Sequence, residues 1–189
     1  MSDVLEMLQG AAGEKRLLKD QNLSGAQLGG ADLSGLKGDF LNFSNADLSG
    51  ADLSGSHFTD CDFVSANLRE ANFTDATLWQ CKFAQAEARG GIFRFVRAEY
   101  SFWQEADFTG ADFGAAQLSE SSFFRSTLKG ARFNDCEGRG VTFRDADLSG
   151  ADLSGGDFRG ADFTGAKLEG VNWDGAVLEG ASFDKGARP

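Results

Sequence analysis

The stretch ADLSGADLSG occurs at residues 46–55 and again, unchanged, at residues 146–155. The two copies lie 100 residues apart, a multiple of five and of twenty. Stepping by five from Leu48 in both directions gives a series of large residues from Leu23 to Phe183. Twenty-nine of its thirty-three members are Leu, Phe or Trp; the others are Gly38, Ala88, Ala98 and Gly138. No insertion or deletion interrupts the series. Two positions before each such centre the residue is usually small, mostly Ala, and two positions after it Gly is the commonest choice. A helix repeats its apolar residues every ~3.6 positions and a half-buried strand every ~2. A period of five fits neither. It requires a chain that turns a corner every fifth residue and points one large and one small side chain inward per side.

Unbroken A(D/N)(L/F)xG, running over residues 21–185, resembles the pentapeptide-repeat family. The resemblance implies an all-β fold, a right-handed quadrilateral β-helix in which four pentapeptides make one square coil. About eight such coils are expected. Residues twenty apart then stack, and the columns support this. Leu23, Phe43, Phe63, Phe83, Trp103, Phe123, Phe143, Phe163 and Phe183 form one, while Leu predominates in the next, from Leu28 to Leu168. At strand spacings of ~4.8 Å the rod would be roughly 39 Å long. Residues 1–20 read as an N-terminal cap, with SDVLEML a short helix N-capped by Ser2 and broken by Gly10 and Gly13. Residues 21–185 form the β-helix and 186–189 a tail. A stack end without a cap offers unpaired backbone groups to another chain. The last coil, with Trp173, Leu178 and Phe183, is therefore the expected homodimer interface.

A chain of 189 residues suits one domain, and its net charge of −11 argues against nucleic acid as a direct partner. No apolar run approaches the ~20 residues of a membrane helix. With no signal peptide visible, the expected location is cytoplasmic. Cys61, Cys81 and Cys136 all occupy the small inward position and read as buried free thiols. No spacing resembles a metal site, and no cofactor is expected. The single histidine, His57, precedes a centre and faces solvent, and no nucleophile, base and orienting group can be assembled. The chain reads as a binding protein, not an enzyme.

One branch of the family protects type II topoisomerases from inhibitors by resembling B-DNA in width and charge. The resemblance implies a protein partner, DNA gyrase or topoisomerase IV. B-DNA carries one charge per ~1.7 Å of axis. Residues 141–180 are net −5 and residues 21–80 net −6, which at ~4.8 Å per coil gives roughly one charge per 1.9 Å and per 2.4 Å. Asp32, Asp47, Asp52 and Asp62 near one end, and Asp147, Asp152, Asp157 and Asp162 near the other, are the candidate contact residues. The C-terminal dimerising helix and projecting loops typical of that branch have no counterpart here.

The pattern departs furthest from its norm over GGIFRFVRAEYSFWQ, residues 90–104. Two centres shrink to Ala88 and Ala98, while Ile92, Phe95, Tyr100 and Phe102 fall at outward positions. Trp79, Tyr100, Phe102 and Phe124 are expected near one corner, with Phe95, Arg94 and Arg97 close by. Two readings stand: an exposed aromatic patch that binds a partner, making the chain a scaffold or adaptor rod, or aromatics that fold inward over the small centres and kink the rod.

Overall fold

The computed structural model describes residues 2–187 and 189; the side chain of Ser2, and with it the expected N-cap, lies outside that description. The path begins with helix α1, Ser2–Gly13, followed by strands β1 (Leu17–Lys19), β2 (Lys37–Asp39), β3 (His57–Thr59) and β4 (Thr77–Trp79). The four strands pair in parallel in chain order, each with the strand twenty residues on. Everywhere else the pairing is by single parallel bridges at the same offset, from Asn22↔Asn42 to Asp162↔Ser182. Each side of the square is thus one short extended segment, hydrogen-bonded to the coils above and below.

The corners explain the glycines. From Lys15 to Gly180 every fifth residue has a positive φ, near 50–70°. After Leu23, for example, Gly25 holds this conformation and the Ala26 N–H donates to the Leu23 carbonyl at 3.1 Å. A turn with positive φ at its third residue favours Gly there, because any Cβ crowds the following carbonyl. Eighteen non-glycine residues nonetheless adopt it, among them Phe40, Phe95 and Tyr100.

The interior is filled as the five-residue frame requires. Phe43, Phe63 and Phe83 stack nearly parallel at 5.0 and 4.7 Å, then Trp103 follows at 4.2 Å. A second aromatic column, Phe73, Phe93, Phe113 and Phe133, stands on another side and meets the first edge to face. The four small centres leave no gap. A Cβ on Gly38 would lie 2.3 Å from a Leu41 methyl, and one on Gly138 would lie 2.8 Å from the Phe158 ring. Ala88 and Ala98 are fully buried beside Phe93, Trp103 and Phe108, which are also fully buried. The bridges continue without a break through residues 92, 97 and 102. The inward-folding, kinking alternative is therefore ruled out: Phe95, Tyr100 and Phe102 stay outside, each between 43% and 48% exposed.

Two expectations at the N-terminus need correction. Helix α1 runs through Gly10 to Gly13 instead of breaking at Gly10. Leu8 and Ala11 are completely buried against the first coil, and this tertiary packing outweighs the ~1 kcal/mol helix penalty of one glycine. The strand ladder also begins at Leu17, inside the segment read as the cap.

Buried polar groups are spent on the backbone. The hydroxyls of Ser101, Ser121 and Ser126 donate to the carbonyls of Leu78, Ala98 and Trp103, twenty-three residues earlier. Cys61, Cys81 and Cys136 are buried and unbridged. Burial pushes the Cys136 thiol up to about 12 and raises Cys81 well above the ordinary range. Cys81 and Cys136 supply hydrogen bonds to the coil, to the Phe58 and Phe113 carbonyls, not reactivity.

Candidate functional site: carboxylate faces and an aromatic edge

The residue just before each centre is the one that forms the bridge, so its side chain points outward. An Asp there does a local job. The Asp32 Oδ1 accepts from the Ser34 N–H at 3.1 Å and from its hydroxyl at 2.8 Å. The same closure recurs at Asp47 with Ser49, at Asp147 with Ser149 and at Asp162 with Thr164. Asn42 and Asn72 make it too, with Ser44 and Thr74. One carboxylate oxygen is thus consumed by the turn. The second oxygen, Oδ2, carries the charge outward.

What meets that second oxygen differs between the two ends. Asp147 Oδ2 lies 3.4 Å from Lys129 Nζ and 3.3 Å from Lys167 Nζ. Asp157 Oδ2 is held by Arg139 at 2.7 Å and Arg159 at 2.6 Å, and Asp162 by Arg144 at 3.7 Å. At Asp152 the turn oxygen Oδ1 also takes a hydrogen bond from Asn172, with Arg132 supplying a favourable charge nearby. These four residues are five apart, one on each side of the square, and form a ring that its own bases largely neutralise. At the other end the situation is reversed. Among the described residues, no basic side chain reaches ion-pair distance of Asp32, Asp47, Asp52 or Asp62. The Oδ1 atoms of Asp47 and Asp52, already closing their turns, also accept from Asn67 and Asn72, at 2.9 and 3.1 Å. The two sets of four carboxylates therefore differ in space as they do not in sequence, because three of the C-terminal four are ion-paired and none of the N-terminal four is.

These contacts set the acid response. The Ser34 and Ser49 hydroxyls hold the Asp32 and Asp47 carboxyls below the usual range. At Asp147 burial opposes the shift, but hydrogen bonds from Ser149, Lys167 and Lys129 outweigh it and bring the group down to about 2. Arg159, then Arg139, lowers Asp157 further still. A carboxyl lowered on folding stabilises fully above its unfolded value of ~4, and that contribution disappears as pH falls through the folded value. The urea midpoint is therefore expected to hold between pH 7 and 5 and to drop between roughly pH 4 and 2. A midpoint unchanged at pH 2 would mean that these contacts contribute nothing.

The irregular stretch does not gather at one corner as expected. Trp79 and Tyr100 do meet, with ring centroids 5.2 Å apart at 63°. Phe102 lies around the corner on the next side, beside a small apolar hollow lined by Val64, Lys82, Ala84 and Gln104. Phe124 is on that side too, covered by the Arg125 guanidinium at 4.7 Å. Phe95 occupies the neighbouring corner under Arg94, at 5.1 Å, and Arg94 also binds Asp112. Arg97 stands on the side between the two corners. The physical reason is the five-residue side: Phe95, Tyr100 and residues beyond are carried round successive corners. The result is three small groups in place of one patch. Tyr100 and Phe102 leave nearly half of their surface exposed, so their double alanine substitution is expected to shift stability by no more than ~1 kcal/mol, two surface changes of about 0.5 kcal/mol each. Thermal melting checks this, and a larger loss would make them packing residues.

At the far end, Trp173, Leu178 and Phe183 are only partly buried, although they point inward; Phe183 stacks on Phe163 at 5.0 Å. Sequence reasoning missed Phe40, 55% exposed at a positive-φ corner, because it lies outside the irregular stretch. It also passed over the side bearing His57, which lines the edge of two adjoining hollows. Among the described residues no cluster of potential metal ligands occurs, and no helix is long and apolar enough to cross a membrane.

Comparison with known proteins bears on the same features. A family model described as pentapeptide repeats (8 copies) matches residues 42–80, and a second, for a pentapeptide repeat region, matches residues 96–173. No curated protein matches the chain in sequence. Among solved structures, a trypsin-treated single-substitution form of QnrB1, a plasmid-mediated fluoroquinolone resistance protein, is 24% identical with a TM-score of 0.62. It covers 86% of this chain and 89% of its own. HetL, involved in heterocyst differentiation regulation in the cyanobacterium Nostoc, is 22% identical over 97% of this chain and 98% of its own, with a TM-score of 0.47. A pentapeptide repeat protein of the Arabidopsis thaliana thylakoid lumen is 31% identical over 65% of this chain and 68% of its own, with a TM-score of 0.25.

Proposed function

The chain belongs to the pentapeptide-repeat family, whose members form right-handed quadrilateral β-helices, and from that premise we propose that it is a non-enzymatic binding protein acting as a mimic of B-DNA. Its partner on this reading is a type II topoisomerase, DNA gyrase or topoisomerase IV, which it shields from inhibitors or whose inhibition it modulates. The observation that carries the reading is the array of outward carboxylates without basic partners, Asp32, Asp47, Asp52 and Asp62, on three sides of the N-terminal coils. Their coils carry roughly one net charge per 2.4 Å, close to the duplex value. A basic DNA-binding surface would meet carboxylates fixed by their turns, with little further ordering cost. The chain acts in the cytoplasm without a cofactor. Two copies join through the last coil, where Trp173, Leu178 and Phe183 are left partly open.

The test is a supercoiling assay with purified gyrase and a fluoroquinolone, with and without this protein, across a salt series. Rescue or inhibition that fades as salt rises supports the reading, since screening shortens to ~8 Å at physiological ionic strength. No effect at any concentration removes it.

A second reading rests on Phe95 and Tyr100. Bulky residues at positive φ cost about 1 kcal/mol or more against glycine, yet both stand nearly half exposed. Aromatics held at such a cost suit a docking edge for a protein partner, which makes the rod a scaffold or adaptor. Loss of partner capture in the Tyr100/Phe102 alanine variant, at unchanged stability, separates this reading from the first.

A further inference from the structure

The basic side chains are distributed unevenly between the four sides. Among the described residues, all but five of the lysines and arginines lie within ion-pair distance of an acidic group; the exceptions are Lys15, Lys37, Lys82, Arg97 and Lys185. Three of these five border two hollows that adjoin at His57. One hollow, of about 340 Å³, is lined by Lys15, Lys37 and His57 over the small residues Gly35 and Gly55. The next, of about 400 Å³, starts at the same His57 and runs past Thr77 and Arg97 to Gln117. His57, Thr77, Arg97 and Gln117 are successive bridge residues of one side, and Lys37 is the one before them. No acid appears among those five bridge residues, although Glu137 follows on the same side; at the corresponding positions one other side carries Asp62, the next Asp47, Glu87 and Asp107, and the third Asp52 and Asp112. The carboxylate lining the second hollow is Asp75, and Glu99 lies two residues from Arg97 on the same side.

We propose that this groove is a binding site for an extended, acidic peptide segment of a partner protein. The inference is independent of the topoisomerase reading, which uses the opposite sign of charge on other sides. The groove follows the rod axis for five coil spacings, about 24 Å, the length of roughly seven extended residues. Lys37 and Arg97 are three coils apart, about 14 Å, so they match carboxylates about four residues apart in such a segment. Corners built from Gly35, Gly55 and Ala115 keep the path open, and Phe95 forms an apolar rim. A nucleic-acid strand fits poorly. Its regular phosphates would run beside Asp75 and Glu99 and between carboxylate-bearing sides, on a chain of net charge −11. That net charge also makes the test sharp, since the molecule as a whole repels an acidic probe and attraction must come from the groove.

The experiment is fluorescence anisotropy with a fluorescein-labelled peptide bearing glutamate at every fourth position over roughly nine residues, glycine and serine between, at low salt. The expected result is saturable binding, weakened at least ten-fold by Lys37→Gln with Arg97→Gln and less than two-fold by Lys82→Gln with Lys185→Gln. Circular dichroism and melting confirm that the variants fold; all four positions are on the surface, so glutamine leaves the coil intact. Absence of binding overturns the proposal. So do equal losses in the two double variants, which would mean diffuse attraction, and equal or tighter binding of a labelled oligothymidylate, which would make the groove a nucleic-acid site. None of these outcomes depends on a topoisomerase, so the two readings fail separately.

Discussion

Replacing Asp32, Asp47, Asp52 and Asp62 together by Asn is expected to raise the concentration of this protein needed for half-maximal effect on gyrase by roughly thirty-fold or more. Four exposed charge contacts of ~0.5–1 kcal/mol each amount to about 2–4 kcal/mol. Asn is the right substitution because it keeps the oxygen that the turn uses. Asn42 and Asn72 close the same turn in the native chain. The matched control is Asn at Asp147, Asp152, Asp157 and Asp162, which changes net charge by the same amount. Its expected effect on gyrase is several-fold smaller, since Lys129, Lys167, Arg139, Arg159 and Arg144 already neutralise much of that ring. Equal effects of the two quadruple variants would mean that only net charge matters and that the unpaired array has no special part.

The second large effect concerns Trp103. It is completely buried between Phe83 and Phe123, at 4.2 and 5.5 Å, and meets Phe93 edge to face. Trp103→Ala is expected to cost about 3–5 kcal/mol, the range for emptying a large aromatic site. In a solenoid each coil rests on its neighbours, so the loss also uncouples the halves on either side. The Trp103 indole N–H, however, is buried without a hydrogen-bond partner. Trp103→Phe deletes that unsatisfied donor while keeping most of the stack, and is expected to cost no more than ~1.5 kcal/mol. Urea denaturation of the two variants gives the comparison; a Phe variant as unstable as the Ala variant would show that indole volume alone matters.

Much of this was readable from residues alone, and the reasons are local. Leu or Phe every fifth position fixes which side chains point inward, and Gly two positions on marks where φ turns positive. The stacking of Phe43 to Phe163 follows from counting by twenty. Pairing of charges was not readable in the same way. Arg139 and Asp157, Lys129 and Asp147, Arg144 and Asp162 are each eighteen residues apart. That spacing has meaning only once each side is known to sit over the one twenty residues away. Eighteen residues before Asp32, Asp47, Asp52 and Asp62 stand Glu14, Gly29, Ser34 and Ser44, none of them basic. The aromatic stretch misled for the opposite reason. Residues close in sequence from Arg94 to Phe102 are parted by two corners, so nearness along the chain overstated nearness in space. The path of α1 through Gly10 depends on Leu8 and Ala11 meeting the first coil, a tertiary contact that propensity does not contain.

The strict offset of twenty has a genetic consequence. The identical decapeptides at 46–55 and 146–155 occupy the same two sides of the square, with a whole number of coils between them. Unequal crossing-over within the coding sequence of these copies would delete or duplicate 100 residues and leave every remaining residue on its original side. Deletion would join the α1-capped start directly to the final coils, and duplication would lengthen the rod without a frameshift in its architecture. Chain length is thus a heritable variable that can jump by whole turns while the inward pattern, and the hydrogen bonds that read it, stay the same.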